Sequence, residues 1–83
     1  MQVQKIKGQW KVTDEQTGRV YYMNRFGVVY YRAQDQLLPL DGFEGIEFAN
    51  LDETMRVEAA VRADGYSTRW ANGEIVWNQR KGA

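Results

Sequence analysis

The chain has 83 residues, and its basic and acidic side chains are equal in number, so the formal net charge is zero. This length predicts a single domain, residues 1–83, and so small a domain buries only roughly 60% of its unfolded surface. The sequence contains no cysteine and no histidine. This excludes disulfides, thiolate catalysis and the usual general base near neutral pH.

The charges are distributed unevenly along the chain. Residues 1–32 carry six cations against two acids, whereas residues 33–65 carry eight acids against two cations. The two segments can attract each other within the fold, or one of them can present a charged patch to a partner. The first residues lack the apolar stretch of a signal peptide, and no segment has the roughly 18 apolar residues of a membrane helix. We therefore expect a soluble, cytoplasmic protein that does not bind membranes.

Two turn signals predict a three-stranded meander near the N-terminus. The polar segment 14–18 separates two short runs rich in β-branched and aromatic residues, and residues 24–27 separate the second run from a third. We predict strands at about 9–13, 19–23 and 28–32.

The register of this meander decides which side chains are buried. If Val12 pairs with Val20 and Tyr22 with Val29, one face of the sheet carries no charge. We expect this face to be the core face, formed by Trp10, Val12, Val20, Tyr22, Val29 and Tyr31. The opposite face would mix aromatic side chains with cations, namely Lys11, Thr13, Arg19, Tyr21, Met23, Val28, Tyr30 and Arg32. A change of register by one residue would move the side chains of a strand to the opposite face of the sheet.

The dipeptide Asn72-Gly73 predicts a tight hairpin near the C-terminus, because a type I′ turn needs positive φ at both central positions. A two-residue loop pairs Ala71 with Glu74 and Trp70 with Ile75. The expected core face of this hairpin contains Tyr66, Thr68, Trp70, Ile75 and Trp77.

Residues 33–49 contain the only proline and predict a loop with a short extended piece at 45–48. Two patterns compete in the following segment, 50–63. Asn50 and Glu53 have the spacing of a capping box and Gly65 can end a helix, but the apolar residues from 55 to 63 alternate as in a strand. We favour a helix over a strand, with a short helix from residue 51 that changes to a strand near residue 59 as a further form.

These elements predict a small α+β domain. Its antiparallel sheet, made of the N-terminal meander and the C-terminal hairpin, packs with one helix or helix-strand segment.

No phosphate-binding loop, EF-hand or zinc-protease pattern is present. Asp41, Glu44 and Glu47 recur every three residues and could hold a hard cation, but we interpret them as part of a solvated acidic loop. We expect no catalytic residue, no cofactor and no metal, and a non-enzymatic function.

The face of the meander that mixes aromatic and cationic side chains is the candidate partner-binding surface, because Tyr, Met and Arg are common at interface centres. Its candidate residues are Tyr21, Met23, Tyr30, Arg32, Lys11, Arg19 and Arg25. Segment 50–63 could instead cover this face. A competing hypothesis uses an acidic surface formed by Asp41, Glu44, Glu47, Asp52 and Glu53. The expected partner is another protein, with a second copy of the chain as one possibility and single-stranded nucleic acid, stacked on the tyrosines, as the alternative.

Residues 8–24, GQWKVTDEQTGRVYYMN, resemble the first two strands of a WW domain. The shared features are Trp10, Gly18-Arg19, Tyr21-Tyr22 and Asn24. This resemblance implies that Trp10 and Tyr22 are structural and that Tyr21 faces a ligand. The second tryptophan of that family would fall at Arg32, so the resemblance does not extend to the groove for proline-rich ligands.

The C-terminal half resembles a small prokaryotic domain family of unknown function that carries a W-x-N-G pattern. The matching residues are Gly65 and Trp70-Ala71-Asn72-Gly73-Glu74-Ile75. This resemblance implies an accessory or antitoxin-like partner of another small protein. We therefore expect a protein-binding module of the bacterial or phage accessory type, either antitoxin-like or an anti-CRISPR-like inhibitor of a defence protein.

Overall fold

A computed structural model describes residues 1–32 and 46–77 of the chain. Within them, a five-stranded antiparallel sheet has the order β1-β2-β3-β4-β5, and β6 and β7 form a separate two-stranded sheet. The elements are β1 (Gln2–Ile6), β2 (Gln9–Thr13), β3 (Val20–Asn24), β4 (Val29–Arg32), β5 (Ile46–Phe48), α1 (Leu51–Ala63), β6 (Thr68–Ala71) and β7 (Glu74–Trp77). The predicted α+β class is confirmed, and β1 and β5 extend the predicted meander on both sides.

The turn between β2 and β3 is one residue shorter than predicted. Asp14 still belongs to the ladder, because its N–H donates to the carbonyl of Arg19 at 2.9 Å. The Asp14 side chain also accepts a hydrogen bond from the N–H of Gln16 at 3.0 Å, and this bond stabilises the turn. As a result Val12 pairs with Tyr21, one position away from the predicted register.

The turn between β3 and β4 is also one residue shorter than predicted. The N–H of Asn24 donates to the carbonyl of Val28 at 3.0 Å, so only residues 25–27 lie in the loop. Gly27 has φ of 86°, as expected for the glycine that closes a three-residue hairpin loop. Met23 therefore pairs with Val29.

These two changes of register reverse the faces of β3 and leave β2 and β4 as predicted. The predicted core positions Trp10, Val12 and Val29 are buried, and Tyr31 packs against the core. On β3 the prediction was wrong: Tyr21 and Met23 are buried, whereas Val20 and Tyr22 lie on the other face.

Helix α1 covers the core face of the large sheet. The side chain of Asn50 accepts from the N–H of Glu53, and the carboxylate of Glu53 accepts from the N–H of Asn50, so the predicted capping box is present. Val57 and Val61, one turn apart, are fully buried. The helical prediction is thus confirmed and a strand beginning near residue 59 is wrong, because the cap and the helix face that contains Glu53, Val57 and Val61 outweigh the alternating pattern.

The Asn72-Gly73 hairpin has the predicted register, with Ala71 opposite Glu74 and Trp70 opposite Ile75. Its expected core face is only partly correct. Trp77, at the base of the hairpin, is buried, whereas Trp70 and Ile75 are exposed. The ring of Trp77 packs edge-to-face on that of Trp10 with 6.2 Å between centroids. Only the base of the hairpin therefore reaches the core.

The extended piece predicted at 45–48 is confirmed over residues 46–48, which form β5. The predicted loop and acidic positions at 33–45 lie outside the described residues. Among the described residues, no helix has the length and apolar character needed to cross a membrane.

Candidate functional site

The two faces of the large sheet differ in what covers them. On one face, α1 and the base of the β6–β7 hairpin pack over the core residues of β2, β3 and β4. No described element packs on the opposite face, which we call the open face. Its described strand side chains are Gln2, Gln4, Ile6, Gln9, Lys11, Thr13, Val20, Tyr22, Asn24, Tyr30, Ile46 and Phe48.

A polar cluster on the covered face joins the sheet to the helix through Glu53. The phenol of Tyr21 donates to Oε2 of Glu53 at 2.6 Å, and the guanidinium of Arg19 donates to the same oxygen at 2.9 Å. Oε1 accepts from the N–H of Asn50 at 3.1 Å. The hydrogen bond from Tyr21 is the largest of the influences that hold the pKa of Glu53 below its ordinary value. Burial, followed by the bond to Glu53, raises the pKa of Tyr21, so its phenol remains a donor.

This cluster explains why Arg19 lies away from the open face. Besides its bond to Glu53, the guanidinium lies over the ring of Tyr31, 4.2 Å from the centroid. The bond to Glu53 is also the main reason that the pKa of Arg19 is raised. A second ion pair of reversed polarity joins Arg56 of the helix to the buried Asp14 at 3.5 Å. Ion pairs of both polarities thus join the N-terminal segment to the helix.

The predicted contact face is therefore wrong at two of its central residues. Tyr21 is 1% exposed and Met23 is fully buried, because β3 presents its odd-numbered residues to the helix. The structure has the alternative arrangement, in which segment 50–63 covers these two side chains. Lys11 and Tyr30, which were assigned to the same contact face, do lie on the open face.

A row of side chains crosses the open face from β2 to β5. Lys11 is opposite Tyr22, Tyr22 is opposite Tyr30, and Tyr30 is opposite Phe48. Lys11 and the two tyrosines are half-buried, whereas Phe48 is 68% exposed. Since directly opposite side chains in a sheet contact each other, this row forms a continuous amphipathic ridge. Below we call Lys11, Tyr22, Tyr30 and Phe48 the aromatic row.

The two tyrosines of the aromatic row are held in place by their neighbours. Their rings stack with centroids 5.8 Å apart and an angle of 20° between planes. The phenol of Tyr30 donates to Oε1 of Gln9 at 2.6 Å. Burial is the main reason that the pKa of Tyr30 is raised, so this donor stays protonated. These contacts fix the two tyrosine rings on the open face.

The other two predicted basic contacts lie elsewhere or cannot be placed. The guanidinium of Arg25, in the β3–β4 turn, lies over the ring of Phe26 at 4.9 Å, and the Arg25 carbonyl accepts from the N–H of Trp77 at 2.7 Å. Arg32 pairs with Ile46 through the backbone of β4. The side chain of Arg32 lies outside the described part of the structure.

The predicted acidic surface is not formed as a single patch by the residues that are described. Glu53 is buried in the cluster with Tyr21, so it is wrong as a surface residue. Glu47 is exposed on β5 and accepts from the phenol of Tyr31 at 2.8 Å, and Asp52 is exposed in the first helical turn. Asp41 and Glu44 lie outside the described residues. Across 1–32 and 46–77, no three carboxylates converge where a metal ion could bind.

Sequence reasoning missed Tyr22 and Phe48 as open-face residues, and Trp70 and Ile75 as exposed ones. For Tyr22 the signal was the length of the two turns, because removing one residue from each reverses only β3. For Phe48 the signal was the alternation of side chains within β5, which places Glu47 and Phe48 on opposite faces of the sheet.

Comparison of the chain with protein-family models, with curated proteins and with solved structures finds no match.

Proposed function

We propose that the protein is a non-enzymatic, cytoplasmic protein-binding module that contacts its partner through the aromatic row on the open face. The finer assignment, to the antitoxin-like or defence-inhibitor-like accessory proteins of bacteria and phages, is part of this proposal. The single observation that supports protein binding is the composition of the open face, on which no described element packs.

That composition is typical of the centre of a protein interface. Among the described strand side chains of the open face, Lys11 carries the only charge. Interface centres are depleted of charge and enriched in aromatic residues. Tyr22 and Tyr30 offer both apolar rings and hydroxyl groups, and Phe48 adds a large exposed apolar surface. Such residues are frequent hot spots in binding.

The order within the row also supports protein binding. Tyr30 is fixed by its bond to Gln9 and by its stack on Tyr22. Fixing these side chains in the free protein lowers the entropy that must be lost on binding. The same stack turns one face of each ring toward the other tyrosine. Those ring faces are closed to nucleobases, and the cluster with Glu53 occupies Arg19, so the described residues give the nucleic-acid alternative less support.

Site-specific photo-crosslinking in the cells that produce the protein tests this proposal. A benzophenone side chain replaces Phe48 on the open face or, as the matched control, Met55 on the helix. Both native side chains are apolar and similarly exposed, at 68% and 60%. We expect one specific protein adduct from position 48 and none from position 55. The same adduct from both positions, or a nuclease-sensitive adduct from position 48, would contradict the proposal.

A further inference from the structure

The β6–β7 hairpin has a second apolar surface, distinct from the aromatic row. Trp70 is 72% exposed, and its cross-strand neighbour Ile75 is 50% exposed. Both lie on the same hairpin face as Trp77, whose ring is buried at the base. An exposed tryptophan with an exposed aliphatic neighbour is costly in water and typical of a contact site.

The backbone shows which edge of this hairpin is available. Asn72 and Gly73 both have positive φ, 53° and 78°, as in a type I′ turn. Hydrogen-bonded and non-hydrogen-bonded pairs alternate along an antiparallel ladder, so the N–H and C=O groups of Thr68 and Trp70 point outward from β6. On the β7 side, the outward N–H of Trp77 already donates to the carbonyl of Arg25. Among the described residues, β6 is thus the edge of this hairpin without a backbone hydrogen bond to another element.

We propose that β6 pairs in antiparallel orientation with β6 of a second copy of this chain. Trp70 lies opposite Trp70 of the second copy, on a two-fold axis, and each donates its outward N–H to the carbonyl of the other. The two hairpins then form one four-stranded sheet. On one face of it, Ile75 and Trp70 of one copy continue into Trp70 and Ile75 of the other, so the exposed apolar side chains of both copies cover each other.

Charge complementarity on the opposite face of the hairpin supports a second copy as the occupant. Arg69 lies on that face beside Val76, and Glu74 lies there beside Ala71. In the proposed register Arg69 is opposite Ala71 of the second copy, and Glu74 of that copy is the next residue beyond it. The long guanidinium side chain can extend over the small alanine to this carboxylate. The symmetry gives two such pairs in each dimer.

The neighbouring register is less favourable on the same grounds. If Thr68 were opposite Trp70 of the second copy, Arg69 would lie directly opposite Arg69 of that copy. Like charges directly opposite each other destabilise a sheet. Both the apolar row and the charges therefore select the register centred on Trp70.

Sedimentation equilibrium of the full chain over a range of concentrations tests this proposal. Because the strand is short, we expect weak self-association, as in other small interfaces. Trp70→Lys, at a position that is largely exposed, should abolish association and leave the circular dichroism spectrum unchanged. Met55→Lys, on an exposed part of the helix, should leave association unchanged. A wild-type protein that stays monomeric at roughly millimolar concentration, or a dimer that Trp70→Lys does not affect, would overturn the proposal.

A mixing experiment identifies the register. In a symmetric dimer, Arg69→Glu places an acid opposite the acid at Glu74 of the other copy. Glu74→Arg likewise places a base opposite the base at Arg69 of the other copy. Each variant alone should associate about tenfold more weakly than the wild type, since two attractive pairs become repulsive. An equimolar mixture of the two variants should recover association, because each acid then faces a base of the other chain. Failure of the mixture to recover would overturn this register. If the nuclear magnetic resonance signals of β6 shift only when a different protein is added, that protein and not a second copy occupies this edge, and the proposal is overturned.

Discussion

Tyr21, on the central strand of the sheet, donates its phenolic proton to Oε2 of Glu53 in the first turn of the helix at 2.6 Å. The two residues are 1% and 8% exposed, so this bond lies in the interior between the two layers of the fold. The bond forms because β3 presents its odd-numbered residues to the helix. The same orientation leaves Tyr22 on the open face, where the proposed contact lies.

Tyr21→Phe tests the contribution of this hydrogen bond to stability. The variant keeps the buried ring but removes one donor from a buried carboxylate, so we expect a loss of about 1–3 kcal/mol in the free energy of unfolding. Urea unfolding followed by circular dichroism measures this loss. Tyr22→Phe makes the same chemical change on the open face and should cost clearly less. An equal cost for the two variants would contradict the register described here.

The pH dependence of stability provides a test of the Glu53 cluster. The pKa of Glu53 is lower in the folded protein than its ordinary value of 4.5, mainly because Tyr21 donates to the ionised form. Such a group stabilises the fold above its unfolded pKa, and this stabilisation is lost as the pH falls through the folded pKa. We therefore expect the difference in the free energy of unfolding between wild type and Glu53→Gln to be largest near neutral pH. This difference should narrow as the pH falls below the ordinary pKa of Glu53.

Urea unfolding of both proteins between about pH 7 and pH 3 checks this expectation. Asp52→Asn, at an exposed carboxylate of the same turn, is the control and should differ less from wild type at neutral pH. A difference between wild type and Glu53→Gln that is constant with pH would mean that the charge of Glu53 contributes nothing.

Much of this fold follows from local chemistry that the sequence displays directly. The Asn72-Gly73 turn defines its own loop length, so the register of its hairpin was predictable. The capping box likewise marks the start of the helix at Asn50. The two meander turns were harder, because each polar loop accommodates a register that differs by one residue. The side-chain caps of Asp14 and Asn24 decide between these registers.

The exposure of Trp70 could not be read from its pattern for a different reason. Alternation places Trp70 and Trp77 on one face of the hairpin, and that assignment is correct. Alternation does not say how far the core extends beneath that face. Trp77 reaches the ring of Trp10, whereas Trp70 and Ile75 lie nearer the turn and remain in water.

Gly27→Ala tests the packing of Trp77 against the β3–β4 turn. A Cβ atom at this position would lie 3.1 Å from Nε1 of Trp77, whose ring is held in the core. Gly18→Ala is the matched control, since its φ of 77° is close to the 86° of Gly27 but an added Cβ meets no atom within 4 Å. Both variants carry the strain of positive φ, and we expect Gly27→Ala to cost about 1 kcal/mol more. Thermal or urea unfolding gives the difference, and equal costs would show that Trp77 does not constrain the turn.

The capping box makes a prediction about the helix alone. Asn50→Ala removes the side chain that accepts from the N–H of Glu53 at 2.8 Å, and should destabilise the protein by about 1 kcal/mol. Asn50→Ser keeps an oxygen at this position and should restore most of the loss. The two variants are compared by urea unfolding. If Asn50→Ser is as unstable as Asn50→Ala, the cap is not the source of the effect.

The affinity of the crosslinked partner, once purified, for matched surface variants is the most direct test of the proposed binding face. The variants are Phe48→Glu, at the end of the aromatic row, and Met55→Glu, at a similarly exposed position on the helix. Titration calorimetry should show that Phe48→Glu weakens binding by at least about tenfold and that Met55→Glu changes it by less than about twofold. Unchanged binding by Phe48→Glu, or an equal loss from Met55→Glu, would contradict the assignment of the open face.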